Sequence, residues 1–149
     1  MKVDLNMSVF DYGSYLATER HDKKKGYKSH NQMSTDYELV GILGEMAFGY
    51  MTHQLPKTRY SVGGDGGVDF RGGVQVKSSL VGKGNHLIEF IDKDFTKFGW
   101  YVYVLVDLKK KKADVFGYIS VKDFLAQAKK RNFGYGIRLA LDKSKLNKF

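Results

Sequence analysis

The chain contains no cysteine among its 149 residues and a single proline, Pro56. The first absence excludes a disulfide scaffold, a cysteine-ligated zinc site and a thiol nucleophile, and it fits a reducing compartment. The second leaves no proline-rich linker. With no internal repeat either, the sequence reads as one domain, 1–149, with its core at about 34–131. No hydrophobic run is long enough to span a membrane: the longest, Trp100 to Val106, has the length of a strand. The first residues lack the apolar stretch of a secretion signal. The expectation is a cytoplasmic protein with no membrane partner. Negative charge is also scarce. Asp and Glu number 16 against 25 Lys and Arg, a formal net charge of +9, which points to polyanions and to nucleic acid first among them.

Ten Tyr, ten Phe, one Trp and an apolar share of 42% supply a core. Residues 8 to about 22 are expected as a helix, followed by the basic stretch 23–32, read as a solvated loop. A second helix starts at Ser34 or Thr35, where Thr35 and Glu38 have capping-box spacing. Tyr37, Val40, Leu43 or Gly44, Ala47, Phe48 and Met51 follow at helical intervals, and the helix should end near His53, ahead of Pro56. Strands are expected at Arg59–Val62, Val68–Arg71, Val74–Ser79, Leu87–Ile91, Trp100–Val106 and Val115–Ile119, with Lys109 to Lys112 filling a turn. Ser120 caps a further helix over 121–131, in which Asp123 opens and Lys129, Lys130 and Arg131 close the dipole. A last strand covers Ile137–Leu141. The fold class is α/β or α+β with a central mixed sheet flanked by helices.

The segment Val68–Ser79 concentrates the chemistry. Its apolar and polar residues alternate. If Arg71-Gly72-Gly73 forms a three-residue turn with glycine in the left-handed region, Phe70 lies opposite Val74, Asp69 opposite Gln75 and Val68 opposite Val76. One face then carries the four apolar side chains and the other gathers Asp69, Gln75 and Lys77, with Ser79 on the same face. A carboxylate and an amide oxygen are hard ligands suited to Mg²⁺, and a lysine beside them can orient or deprotonate a water or neutralise charge developing on phosphorus. A second acid is wanted, and Glu45, set among Gly44, Met46 and Ala47 in the second helix, is the best candidate. The histidines at 21, 30, 53 and 86 show no ligand spacing, and neither a phosphate-binding glycine loop nor a serine-hydrolase elbow occurs. Asp65, within the glycine run 63–67, is read as a turn residue.

A glutamate in a helix, then an aspartate, then Gln75 and Lys77 on the next strand resembles the PD-(D/E)XK nuclease superfamily, over roughly residues 35–106 with a continuation to 131. The resemblance implies a restriction-endonuclease-like αβββαβ core and Mg²⁺-dependent cleavage of DNA, with Mn²⁺ able to substitute. Position by position, Glu45 matches the helix acid, Asp69 the motif aspartate and Lys77 the motif lysine. Gln75 stands where the family has an acid, and Val68 where it has proline before the aspartate. The implied metal ligands are Glu45, Asp69 and Gln75. The implied activity is an endonuclease that favours DNA over RNA and recognises structure or ends more than sequence. Many members of this fold dimerise, so a homodimer is compatible. Two other readings stay open: a non-catalytic nucleic-acid binder with a vestigial site, and a protein-interaction or inhibitor module. Small size and lysine richness suggest, as a hypothesis, a phage or mobile-element protein in a bacterial host; a gene embedded among chromosomal housekeeping genes would sink it.

Overall fold

Helix α1 (Met7–Lys24) and helix α2 (Thr35–Thr52) form where the apolar spacing places them. In the computed structural model, which describes residues 1–24, 35–54 and 68–149, α1 packs on α2, and α2 packs against one face of a sheet. That sheet has the order β1-β5-β4-β2, from β1 (Lys2–Asp4), β2 (Val74–Leu80), β4 (Trp100–Asp107) and β5 (Lys112–Ser120). It is mixed. β2 runs parallel to β4, in the register Gln75 to Tyr101 and Lys77 to Tyr103, whereas β4–β5 and β5–β1 are antiparallel. A parallel pair needs a long crossover. Here the crossover contains β3 (His86–Phe90), which leaves for a second, antiparallel sheet of order β3-β7-β6 with β6 (Lys129–Asn132) and β7 (Ile137–Asp142). The short helix α3 (Val121–Gln127) joins the two sheets. The architecture is mixed α/β with three helices among the described residues.

Period-two alternation sends the side chains of β2 and β4 into two separate cores. On the helix side, Val76, Val102, Val104 and Val106 meet Leu39, Val40, Leu43, Ala47 and Phe48 of α2. On the other side, Tyr101, Tyr103 and Leu105 meet Leu87 of β3, Phe124 of α3 and Leu141 of β7. Gly44 allows α2 to sit hard on the first sheet, since a Cβ there would run into the Ser78 side chain and come within 3.5 Å of Val104 Cβ. The helix closes at His53, whose φ of 55° ends the turn.

The three-residue turn forms as expected. Phe70 bridges Val74, and Gly72 and Gly73 hold φ of 83° and 72°, a region that glycine enters without strain. The Gly73 carbonyl accepts from the N–H groups of Gly99 (2.8 Å) and Trp100 (3.1 Å), which pins the turn to the start of β4. Ser120 caps α3, its hydroxyl accepting from the Asp123 N–H at 3.1 Å.

Four expectations change. Helix α3 stops at Gln127 rather than 131, so Lys129, Lys130 and Arg131 do not close its dipole; they form β6 instead. The reason lies in Phe133-Gly134-Tyr135-Gly136, whose glycines at φ 98° and 105° fold β6 back onto β7, and the ladder so gained overrides the helix propensity of the lysines. Val68 joins the core on the far side of the first sheet, so three apolar side chains of the turn region, Phe70, Val74 and Val76, share the helix side and not four. The arm before the turn is reduced to the Phe70 bridge. Strand β1, short and unremarked in the sequence pattern, adds an edge to the first sheet. The expected strand Arg59–Val62, Asp65 and its glycine run, and residues 25–34 lie outside the described residues. Among the described residues, no helix is long and apolar enough to cross a membrane.

Candidate active site

β2 is the end strand of its sheet, with β4 on one side only. Val74 and Val76 turn their main-chain groups away from β4, toward residues 68–70: the Val74 carbonyl accepts from the Asp69 N–H at 2.9 Å. The Val76 N–H donates to Asp69 Oδ2 at 2.7 Å. A strand edge would otherwise leave such groups unpaired. Asp69 is thereby fixed beside the backbone between Gln75 and Lys77, as a consequence of the three-residue turn.

Gln75 and Lys77 point from β2 to the face that carries Tyr101 and Tyr103. Gln75 is buried, 7% exposed, and its Oε1 has no hydrogen-bond partner among the described residues. Leaving an amide oxygen dry and unpaired costs roughly 1–3 kcal/mol, so an oxygen in this condition is a candidate ligand atom. Two hydroxyls share the condition, each pressed against a glycine: Ser78 Oγ under Gly44, and the Tyr103 hydroxyl under Gly84. Ser79 Cβ also lies under Gly84.

Lys77 is not alone. Its Nζ lies 2.9 Å from Glu89 Oε2 on β3, a residue 1% exposed. The Tyr101 hydroxyl donates to the same oxygen at 3.0 Å, and the Phe90 N–H donates to Oε1 at 2.9 Å. Three donors thus surround a carboxylate that water does not reach, which is the condition for burying one. Burial first, then the Glu89 charge, then this hydrogen bond push the Tyr101 phenol well above its ordinary value. Neither Glu89 nor Tyr101 figured among the residues picked from the sequence. The signal was available: in His86–Phe90, Leu87 and Glu89 occupy one face, so an acid stands where the strand pattern asks for an apolar residue.

Glu45 sits differently. It is half-buried on α2, next to Gly44, and Gly44 touches β2 at Ser78, on the face opposite to Gln75 and Lys77. The structure therefore gathers Asp69, Gln75, Lys77 and Glu89 around β2, and Glu45 stands on the helix that packs against that strand. No three His, Asp or Glu side chains converge on a point among the described residues. An ion at this place would rely on Asp69, the amide oxygen of Gln75 and main-chain oxygen at the edge, with Glu45 the acid expected from the helix. The orphaned Gln75 oxygen is the feature that suits such an ion. His86 faces away from the site; its Nε2 lies 3.0 Å from Arg131 Nη1.

No family model, curated protein or solved structure matches the chain. The reading of the site therefore stands on its residues and their geometry.

Proposed function

We propose that the protein is a metal-dependent nuclease of the PD-(D/E)XK kind that hydrolyses phosphodiester bonds in DNA, cutting as an endonuclease at structures or ends more than at particular sequences. The observation that carries the reading is the buried Gln75 oxygen, without a partner among the described residues and held one strand position from the Asp69 carboxylate on Val76 and two from Lys77. Asp69, Gln75 and Glu45 would hold Mg²⁺ or Mn²⁺. Such an ion supplies Lewis acidity and a more acidic water.

The remaining work falls to the chain. Lys77, held at 2.9 Å by Glu89, offers N–H donors at a fixed place and not a free lone pair. Of the roles open to it, the geometry favours binding a phosphate oxygen and stabilising the charge that builds there over taking a proton from water. Glu89 and Tyr101 act through Lys77 as positioning residues, since they keep the ammonium from swinging to solvent. The surplus of positive charge supplies attraction for the phosphate backbone, with affinity that falls steeply as salt rises. A second reading, a nucleic-acid binder without catalysis, draws on the absence of a three-acid cluster among the described residues.

The test is cleavage of supercoiled, linear, single-stranded and branched DNA at low salt with Mg²⁺, Mn²⁺ or EDTA. The wild type is expected to cut with metal. Asp69→Asn, which keeps the size of the side chain, is expected to lose about a hundredfold or more, the scale set by removing one charge-organising group. Salt-sensitive DNA binding without cutting under any metal would replace this reading by the non-catalytic binder. Absence of both would leave the protein-interaction module.

A further inference from the structure

The second sheet turns one face to the far-side core and the other to solvent. Leu87, Glu89, Leu139 and Leu141 take the inner face. Alternation puts His86 and Phe90 of β3, Arg138 of β7, and Lys129 and Arg131 of β6 on the outer one. In register, Phe90 pairs with Arg138 and Arg138 with Arg131.

On this face guanidinium groups and rings are interleaved. Arg138 lies over the Phe90 ring at 4.5 Å and over the Tyr135 ring at 5.5 Å. Tyr135 stacks on Phe133 with centroids 6.0 Å apart and planes within 16°. Arg131 lies over Phe133 at 4.9 Å, and His86 meets Phe133 edge-on at 5.6 Å. Tyr135 is 53% and Phe90 45% exposed, so these planes are open to solvent. Neither guanidinium has a carboxylate partner among the described residues. Alongside runs a cleft of about 550 Å³ walled by Lys129, Lys130, Arg131, Lys145 and His86, with Asp142 as its single acid. The Asp142 carboxylate is exposed and caps the turn that follows, accepting from the Ser144 N–H at 2.8 Å.

Flat π faces and guanidinium planes stack on bases, and unpaired cations take phosphates; together they suit an unpaired strand, whose bases are free to leave one another. A duplex hides those faces. We infer that the outer face of the second sheet is a binding platform for single-stranded nucleic acid, its bases stacking on Tyr135, Phe90 and Arg138 and its phosphates lying in the Lys129–Arg131 cleft. The platform lies on another face from Asp69, Gln75 and Lys77 and does not depend on metal or on cleavage. If the nuclease reading holds as well, the platform makes strands with unpaired stretches the preferred substrate.

The test is fluorescence anisotropy in EDTA with a labelled twenty-nucleotide oligothymidine, an abasic strand of the same length and a duplex. The expected result is preference for oligothymidine over both. Arg131→Ala with Arg138→Ala should weaken it about a hundredfold, and Tyr135→Ala about tenfold, the scale of one lost stacking partner. Tyr135→Ala should leave binding of the abasic strand unchanged, which separates stacking from charge. Equal affinity for abasic strand or duplex overturns the proposal, as does a double arginine variant that binds normally. Oligothymidine binding with these sensitivities, but without metal-dependent cutting of any substrate, would remove the nuclease reading and leave the platform standing.

Discussion

The two sides of the first sheet are built on different rules. The helix side is filled with valine, leucine and alanine, and its fit depends on shape, as at Gly44. The far side is aromatic, and it takes in the two buried polar residues among those described, Gln75 and Glu89. An apolar group needs only to be covered; a buried polar group needs a partner. Glu89 has three donors, and the Gln75 oxygen has none among the described residues. The Ser78 hydroxyl on the helix side shares the condition of the Gln75 oxygen, so it is the position of Gln75, at the strand edge beside Asp69 and Lys77, that marks the far side as the place to look for function.

The comparison can be broken most forcefully at Glu89. Glu89→Ala leaves Lys77 and the Tyr101 hydroxyl without their partner and is expected to destabilise the fold by about 3–5 kcal/mol in urea denaturation. Replacing Lys77 and Glu89 together by Met and Leu should recover most of that loss, because the cost lies in the stranded charge. On the helix side, Leu43→Ala at a fully buried position should cost about 3 kcal/mol through its cavity, with Mn²⁺ affinity unchanged in calorimetric titration. Tyr101 sharpens the contrast through pH. Its phenol is raised in the fold, so the neutral form is favoured there. The stability this provides is complete below pH 10 and is lost above it, as the unfolded chain ionises first, by about 1.4 kcal/mol per pH unit. Tyr101→Phe should flatten that alkaline decline relative to the wild type. The smallest effect on stability is expected at Gln75. Gln75→Leu should shift unfolding by less than about 1 kcal/mol or raise stability, since it removes an unpaired oxygen; metal-dependent cleavage should be lost. A large destabilisation by Gln75→Leu would show that the amide is structural.

What the sequence made legible follows from how local the determinants are. Helix α2, the three-residue turn and strand β4 rest on patterns contained within a few residues, and each stands where the pattern places it. The end of α3 was misjudged because the hairpin that ends it is closed by glycines further along the chain. Asp69, Gln75 and Lys77 were legible as one cluster because a single turn brings them together. Glu89 was not, since its meeting with Lys77 depends on how the crossover carries β3 over the first sheet. Glu45 was picked for its apolar neighbours, and it stands half-buried on the helix that packs against β2.

The pairing of Lys2 with Asp114 also governs the order in which the molecule can be made. β1 is synthesised before the rest of its sheet, and its partner β5 follows more than a hundred residues later. At translation rates of about 5–20 residues per second the first strand waits on the order of ten seconds for a neighbour. β2 likewise waits for the parallel β4, while the β4–β5 hairpin can close by itself. The hairpin is thus expected to serve as the seed on which both edges later dock, and the slow step of folding is the arrival of those edges.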